Sequence, residues 1–412
     1  MSAIINNSFR KYQADNFIAS FSSNSIYLAI GKNDPWAGAS AGEYIETTPS
    51  DTSIPVPIDT TVSSFLHYDD LIAIKKITSS STSHVLKRVD WTSGTVYVEY
   101  DHLQDDIIDQ DFFVFTEDYN VYKCISNNGG VVSTVKPTSD SVDIIETADG
   151  YRWKFMYEVQ QADVLKYVTT DWIPVKYLTA DDTTAQWNVQ QAAVDGSLEH
   201  IAVTAGGAGY YSDIGTAQSG NTSTTIQLAT TADSNDDYYN DMTVYITSGA
   251  GAGEFKTITD YVGGTRTATV STNWTNIPTD TSVYQVMPAV SVASTTGSGA
   301  TYRVSGVNAG TITKVTSVTK GTNYRDATAT VTSGAGSSCV LTPLVGPMNG
   351  HGKDAVTELG GTKVMLNARL IGLDGSDFPI NDDFRKVHLI VNPKVSEAGN
   401  ALATATTYST AE

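Results

Sequence analysis

The strongest constraint on the fold lies between residues 195 and 346, a stretch that reads as strand throughout and holds no convincing amphipathic helix. Its 152 residues carry 19 of the 33 glycines of the chain, 6 of the 25 lysines and arginines, and 11 of the 45 acids. Short alternating runs follow one another: IAVTAGG, MTVYITSG, TATVSTNW, ITKVTSVTKG and ATATVTSG. Alternation over four to eight residues, closed by Gly or Asn, is the signature of a half-buried strand. Composition changes sharply at both ends of the block. The expectation is an inserted Gly/Thr-rich all-β domain at 195–346, carried by a discontinuous host made of 1–194 and 347–412.

Inside the block, LEHIAVTAGGAGY (198–210) and ITKVTSVTKGTNY (312–324) repeat one pattern, alternating residues before a Gly and then a Tyr. In each, Gly supplies a tight turn and Tyr210 or Tyr324 caps the next strand. A separate stretch between them (236–270) contains GAGAG and YVGGTR, a loop and a hairpin turn. A smaller β-barrel or sandwich near 233–287, nested within a split β-unit, is the expected subdivision.

The host segments read differently. NSIYLAIG is a strand ending at Gly31, followed by a KNDPW turn in which Trp36 is a large anchor. Residues 57–77 carry the best helix pattern, capped at Asp59 or Thr60, with Val62, Phe65, Leu66 and Leu71 on one face. GTVYVEY, FFVF, NVYKCI and YRWKFMYEV are strand-like. The last alternates aromatic with polar or cationic residues and suggests a strand with two useful faces. PMNGHGKDAVTELGG reads as a loop and a short helical turn. KVMLNARLIGLDG and RKVHLIVNP supply two strands that close the sheet begun before residue 195, and the tail after Ala398 reads as frayed.

Composition excludes several functions. The formal net charge is −20, so phosphate meets a repelling field and a sequence-independent hold on nucleic acid is not expected. No apolar run approaches the ~20 residues of a membrane span. The first residues lack the apolar stretch of an export leader, so synthesis and folding in a reducing cytoplasm are expected. Cys124 and Cys339 form neither a disulfide framework nor a metal pattern and read as small buried residues.

Motifs for chemistry are sparse. GGAGY (206–210) has no following helix for pyrophosphate, and TSGAGAGEF (247–255) lacks the Lys-Ser/Thr of a P-loop. The six histidines never fall at metal spacing. His351, in NGHGKD, is the one in a Gly-bracketed loop beside an acid, and an exposed turn explains it equally well. The acidic runs DDIIDQD (105–111) and DSNDD (233–237) lack the form of a calcium loop and read as solvated charge. No GxSxG is present. The reading is a protein with no catalytic residue, no cofactor and no metal.

The host pieces, taken together, resemble the baseplate wedge subunit of contractile-tail, T-even-like bacteriophages, the β-rich one that forms a homodimer within each wedge. The matching stretches are SFRKYQADNF, IYLAIGKNDPW (26–36), LKRVDWTSGTVYVEY (86–100), FFVFTEDYNVYKCISN (112–127), DGYRWKFMYEV (149–159) and RKVHLIVNP (385–393). Each is short; their order and spacing carry the likeness. The resemblance implies a mainly β protein with a discontinuous β-sandwich host and few short helices. It also implies other wedge subunits as neighbours, no catalytic site, and a place in the tail baseplate of the virion after assembly in the host cytoplasm. It says nothing of the 195–346 block. Arg10, Trp36, Trp91, Arg152 and Trp153 lie in matching stretches and are candidate anchors of the fold or its interfaces. Two rival functions are an adhesin-like binder of host-surface glycan, using Tyr210, Tyr238, Tyr239 or Trp274 of the block as stacking platforms, and a tail-associated hydrolase with two carboxylates in a cleft.

Overall fold

The computed structural model describes residues 6–36, 69–370, 384–393 and the backbone of 407–409. Among them the chain is mainly β, about 40% strand and 12% helix. It divides into two compact units. One comprises Met1–Arg88, Val159–Lys176 and Gly360–Glu412; the other comprises Val89–Glu158 and Tyr177–Leu359. Strands are numbered β1 to β23 in chain order.

The first unit gathers pieces from both ends of the sequence. β1 (Ile26–Gly31) pairs antiparallel with β2 (Leu71–Ile77) on one side and β22 (Lys386–Val391) on the other, and β23 (Thr407–Ser409) extends the sheet beyond β2. Tyr27, Ala29 and Ile74 form its buried cluster. A second sheet has the order β21 (Lys363–Leu366), β3 (Thr82–Lys87), β8 (Trp172–Val175). The helix Asn7–Ser20 packs on β21 and β3. It starts where the Asn6 side chain accepts the Phe9 N–H at 2.9 Å, the usual N-cap arrangement.

The helix expected over 57–77 falls partly outside the described residues, but its last third is a strand. LIAIKKI pairs residue by residue with β1, from Ile26 opposite Ile77 to Ile30 opposite Ala73. Its β-branched isoleucines suit a pleated, half-buried surface better than a helix. The GTVYVEY segment also departs from expectation. Its Thr95 makes an isolated bridge to Ser133, yet the rest forms no strand, although Tyr97 and Tyr100 are buried.

The second unit holds three bodies of sheet. The first is ordered β4 (Phe113–Phe115), β5 (Asn120–Ser126), β7 (Arg152–Glu158), β6 (Ile145–Glu146). The helix Ala185–Ala192 packs on β7. Its core is aromatic: Tyr97, Tyr122, Tyr151, Trp153 and Phe155 are buried together with Val189. β7 does not have one wet and one dry face, because five consecutive residues, Trp153–Tyr157, are buried.

The second body is a duplicated unit whose halves exchange strands. The first half runs β9 (Leu198–Ala208), Tyr210, β16 (Val290–Ala293), Gly297, β17 (Ser298–Asn308). The second runs β18 (Thr311–Thr322), Tyr324, β19 (Thr328–Val331), Gly336, β20 (Ser337–Val345). β9 pairs with β20 and β18 with β17, so each half completes the other, and β16 pairs with β19 between them. The exchange is reciprocal down to single bonds: Tyr210 N–H donates to the Gly310 carbonyl and Tyr324 N–H to the Gly196 carbonyl, both at 3.0 Å. Tyr210 and Tyr324 are buried in one core with Leu198 and Ile312. Gly336 lies against the Tyr210 ring and Gly297 against the Tyr324 ring, each so close that a Cβ would meet ring carbon at 2.4 Å. Gly207 and Gly321 end the two long strands with φ of +63° and +61°, a conformation that L side chains rarely adopt. The repetition readable at 198–210 and 312–324 is therefore one turn built twice.

The third body is inserted in the first half, between Tyr211 and Val290. Its sheet order is β10 (Asp213–Thr216), β15 (Val283–Met287), β12 (Thr243–Ser248), β13 (Phe255–Val262), β14 (Thr267–Val270), β11 (Thr225–Gln227). Just past β10, the Gln218 N–H donates to the Gln227 carbonyl of β11 at 2.8 Å, so the two edges meet and the sheet closes into a small barrel. Its own core includes Leu228, Met242, Ile246, Ile258, Tyr261 and Tyr284.

The composition changes at 195 and 347 thus fall inside the second unit. Residues 89–158, read from sequence as host, share that unit with the Gly/Thr-rich block.

Candidate functional site

The densest polar chemistry of the second unit is a buried charge network between the β4–β7 sheet and the duplicated unit. Lys123 on β5 and Lys154 on β7 are fully buried, each mid-strand among aromatic residues. Lys123 Nζ donates to Glu358 Oε2 at 2.9 Å and lies 4.2 Å from the centroid of the Tyr100 ring. Burial lowers the affinity of its amine for a proton, and the neighbouring Glu358 carboxylate partly restores it. Lys154 Nζ donates to the Val142 carbonyl, and burial lowers its pKa as well.

Further along, Glu199 on β9 accepts the Ser197 hydroxyl at 3.2 Å and sits 3.4 Å from Lys320 Nζ on β18. Lys320 also reaches Asp143 at 3.0 Å. Burial pulls the Lys320 pKa down, but Glu199 and Asp143 outweigh it and the net shift is upward. At the rim, Arg152 bonds Glu146 at 3.3 Å, and Lys314 of β18 pairs with the same carboxylate.

Arg152 also donates to His200 Nδ1 at 2.6 Å. Burial first, and this guanidinium second, push the His200 pKa down to about 3. The ring is therefore neutral, with Nδ1 as acceptor. The consequence for stability has a definite sign. An unfolded histidine binds its proton near pH ~6.5 and the folded one does not, so this contribution is complete above ~6.5 and is lost as pH falls toward 3. His200→Gln is expected to remove that component, up to about 1.4 kcal/mol per pH unit. Urea unfolding of both proteins at about pH 7 and about pH 4.5 checks it: the wild type loses more stability on acidification than the variant.

His351 lies in the interior and not in an exposed turn. Its Gly-bracketed loop reads as exposed, yet the ring is buried, edge-to-face with Tyr100 at 4.9 Å. Burial, then Lys123, Lys154 and Lys320, hold its pKa well below the ordinary value. Nδ1 has no hydrogen-bond partner and lies 4.0 Å from Glu358 Oε2.

Three of the five sequence candidates gather in the second unit, where Trp91 packs against the aromatic cluster that holds Trp153 and Arg152 adjoins it. Trp153 is buried in the aromatic core, stacked on Tyr151 at 5.3 Å. Arg152, its neighbour, joins the charge network. Trp91 is half-buried and donates Nε1–H to the Ser133 hydroxyl at 3.1 Å. In the first unit, Trp36 is buried beneath Lys32 and Lys386, 4.6 and 5.7 Å from its ring centroid. Arg10 is exposed on the first helix.

Of the four residues suggested as glycan platforms, Tyr210, Tyr239 and Trp274 are core residues, and Tyr238 stacks on Tyr211 at 4.2 Å. Cys124 is buried and Cys339 half-buried. Among the described residues, no three acids, histidines or cysteines converge as a metal site, and no helix is long and apolar enough to cross a membrane.

The first unit presents an apolar face. Val387, Leu389 and Val391 alternate along β22, an edge strand among the described residues, each two-fifths exposed or more. A groove of about 430 Å³ is lined by Leu389 together with Arg10, Gln13, Ala14, Phe17 and Val364, among others.

No family model matches the chain, and no curated protein matches it. Among solved structures, a chain from the "Virion of native gene transfer agent (GTA) particle" aligns over 64% of this chain and 79% of its own, at 10% identity and a TM-score of 0.17. A score that low does not establish a common fold.

Proposed function

We propose that this chain is a structural component of a contractile phage tail, a homodimeric baseplate wedge subunit that acts through contacts with the other wedge proteins and catalyses nothing. The observation that carries the reading is where the resembling segments lie. IYLAIGKNDPW supplies β1 and RKVHLIVNP supplies β22, and the two pair as neighbours from opposite ends of the chain, Ile26 opposite Val391 through Gly31 opposite Lys386. Pieces that resemble one family in order and spacing thus build one sheet together. An assembly subunit also needs surface to give to partners. The exposed apolar side of β22 is the kind of face that an interface of obligate size, about 2,000 Å² or more, covers.

The test is co-expression with the other wedge proteins of the same phage. A complex that survives size exclusion and shows wedge-shaped particles by electron microscopy is expected. Elution of this chain alone, as a monomer, at micromolar concentration overturns the reading.

A further inference from the structure

We propose that Lys123 and Glu358 condense into an intramolecular amide cross-link, joining β5 to the short helix Ala355–Glu358 inside the second unit. The pair is placed for that reaction. Side-chain exposure is 0% for Lys123 and 4% for Glu358, and Nζ lies 2.9 Å from Oε2. The two oxygens of Glu358 have different surroundings. Oε1 accepts the Asp354 N–H at 3.3 Å. Oε2 faces Lys123 and, at 4.0 Å, the unpartnered Nδ1 of His351. The Tyr100 ring packs on both the ammonium and the imidazole, and closes this corner with apolar surface.

Each part has a use. Burial weakens the hold of Lys123 on its third proton, because charge is costly away from water. The ammonium passes one proton to the carboxylate. The freed lone pair attacks Cδ of Glu358 and forms the C–N bond. Negative charge collects on Oε1, where the Asp354 N–H is aimed, as oxyanion donors are. The surplus amine proton travels through His351 to Oε2, the C–Oε2 bond breaks, and water leaves. An ammonium and a carboxylate become a secondary amide and one water, with no oxidant, reductant or activated co-reactant. Holding nucleophile and electrophile in contact within one core replaces the activation that free groups in solution require. The buried imidazole, which bonds nothing as it stands, acquires a role as the proton relay. Lys154, Lys320 and Glu199 are the other charged groups whose fields reach this corner.

The experiment is mass spectrometry of the purified full-length chain, unfolded in denaturant. The expected mass is that of the sequence, allowing for the initiating methionine, less one water. A digest is expected to contain a branched peptide joining the Lys123 and Glu358 segments. Lys123→Arg restores the full mass, and His351→Gln gives a freshly purified mixture that shifts toward the lighter species on standing. If the wild-type chain has its full sequence mass and both segments are recovered as separate peptides, the pair is an ion pair only and the proposal is wrong. A missing water that maps elsewhere overturns it equally.

Discussion

Trp153→Ala is expected to cost the second unit about 3–5 kcal/mol, among the largest losses a single side chain here can cause. The indole is completely buried, stacked on Tyr151 and edge-on to Tyr97 at 5.8 Å, and its strand lies between β5 and β6. Close-packed aromatic neighbours cannot collapse fully into the space it leaves, so lost transfer energy and a residual cavity add. Its Nε1–H has no hydrogen-bond partner, so Trp153→Phe forfeits volume but no bond and is expected to cost well under half as much. Trp91→Ala, at a half-exposed site, is expected to fall nearer 1–2 kcal/mol. Thermal unfolding measures the series, and a drop on the order of 10 °C is expected for Trp153→Ala. A drop no larger than that of Trp91→Ala means that the aromatic cluster does not hold the unit together.

Glu199→Gln is expected to cost about 3 kcal/mol or more for a different reason. The carboxylate faces Lys320 directly and opposes the lowering of the Lys154 pKa that burial causes. The amide fills the same space but carries no charge, which leaves buried ammonium groups short of compensation. That is the expensive way to break a buried pair. Replacing a cation together with the acid is cheaper, so Glu199→Gln with Lys154→Met is expected to recover part of the loss. Urea unfolding gives the answer as a lower midpoint at unchanged slope. An unaltered midpoint in the single variant shows that Asp143 already holds the neighbouring charge and that Glu199 is dispensable.

These residues also mark how far the sequence could be read. Strands with a local signal were legible: NSIYLAIG became β1, NVYKCI became β5, RKVHLIVNP became β22, and AVTE formed the expected short turn of helix. The tandem Gly-then-Tyr pattern was legible too, since the same turn needs the same residues twice. Three things were not. The apolar spacing of LIAIKKI fits a helical and a strand period alike, and only its partner β1 decides between them. Lys123 and Lys154 stand mid-strand among aromatics, which was visible, but both faces of β7 being buried was not. A buried cation is specified by acids far away in the chain, Glu358 for one and Glu199 for the other. His351 looked exposed because glycines flank it. Those glycines instead let the backbone come close: a Cβ on Gly352 would lie 2.4 Å from Val189, and one on Gly350 2.5 Å from the Val194 backbone.

The duplicated unit carries its barrel in one half only. In the first half the path from Tyr211 to β16 detours through six strands, whereas in the second the matching path from Tyr324 to β19 is the three residues Arg325, Asp326 and Ala327. Because β16 and β19 pair antiparallel with each other, the two paths are equivalent sockets, one loaded and one blank. The architecture is thus a chassis with a single cargo, and the pairings that close the chassis, β9 with β20, β17 with β18 and β16 with β19, use none of the barrel's strands.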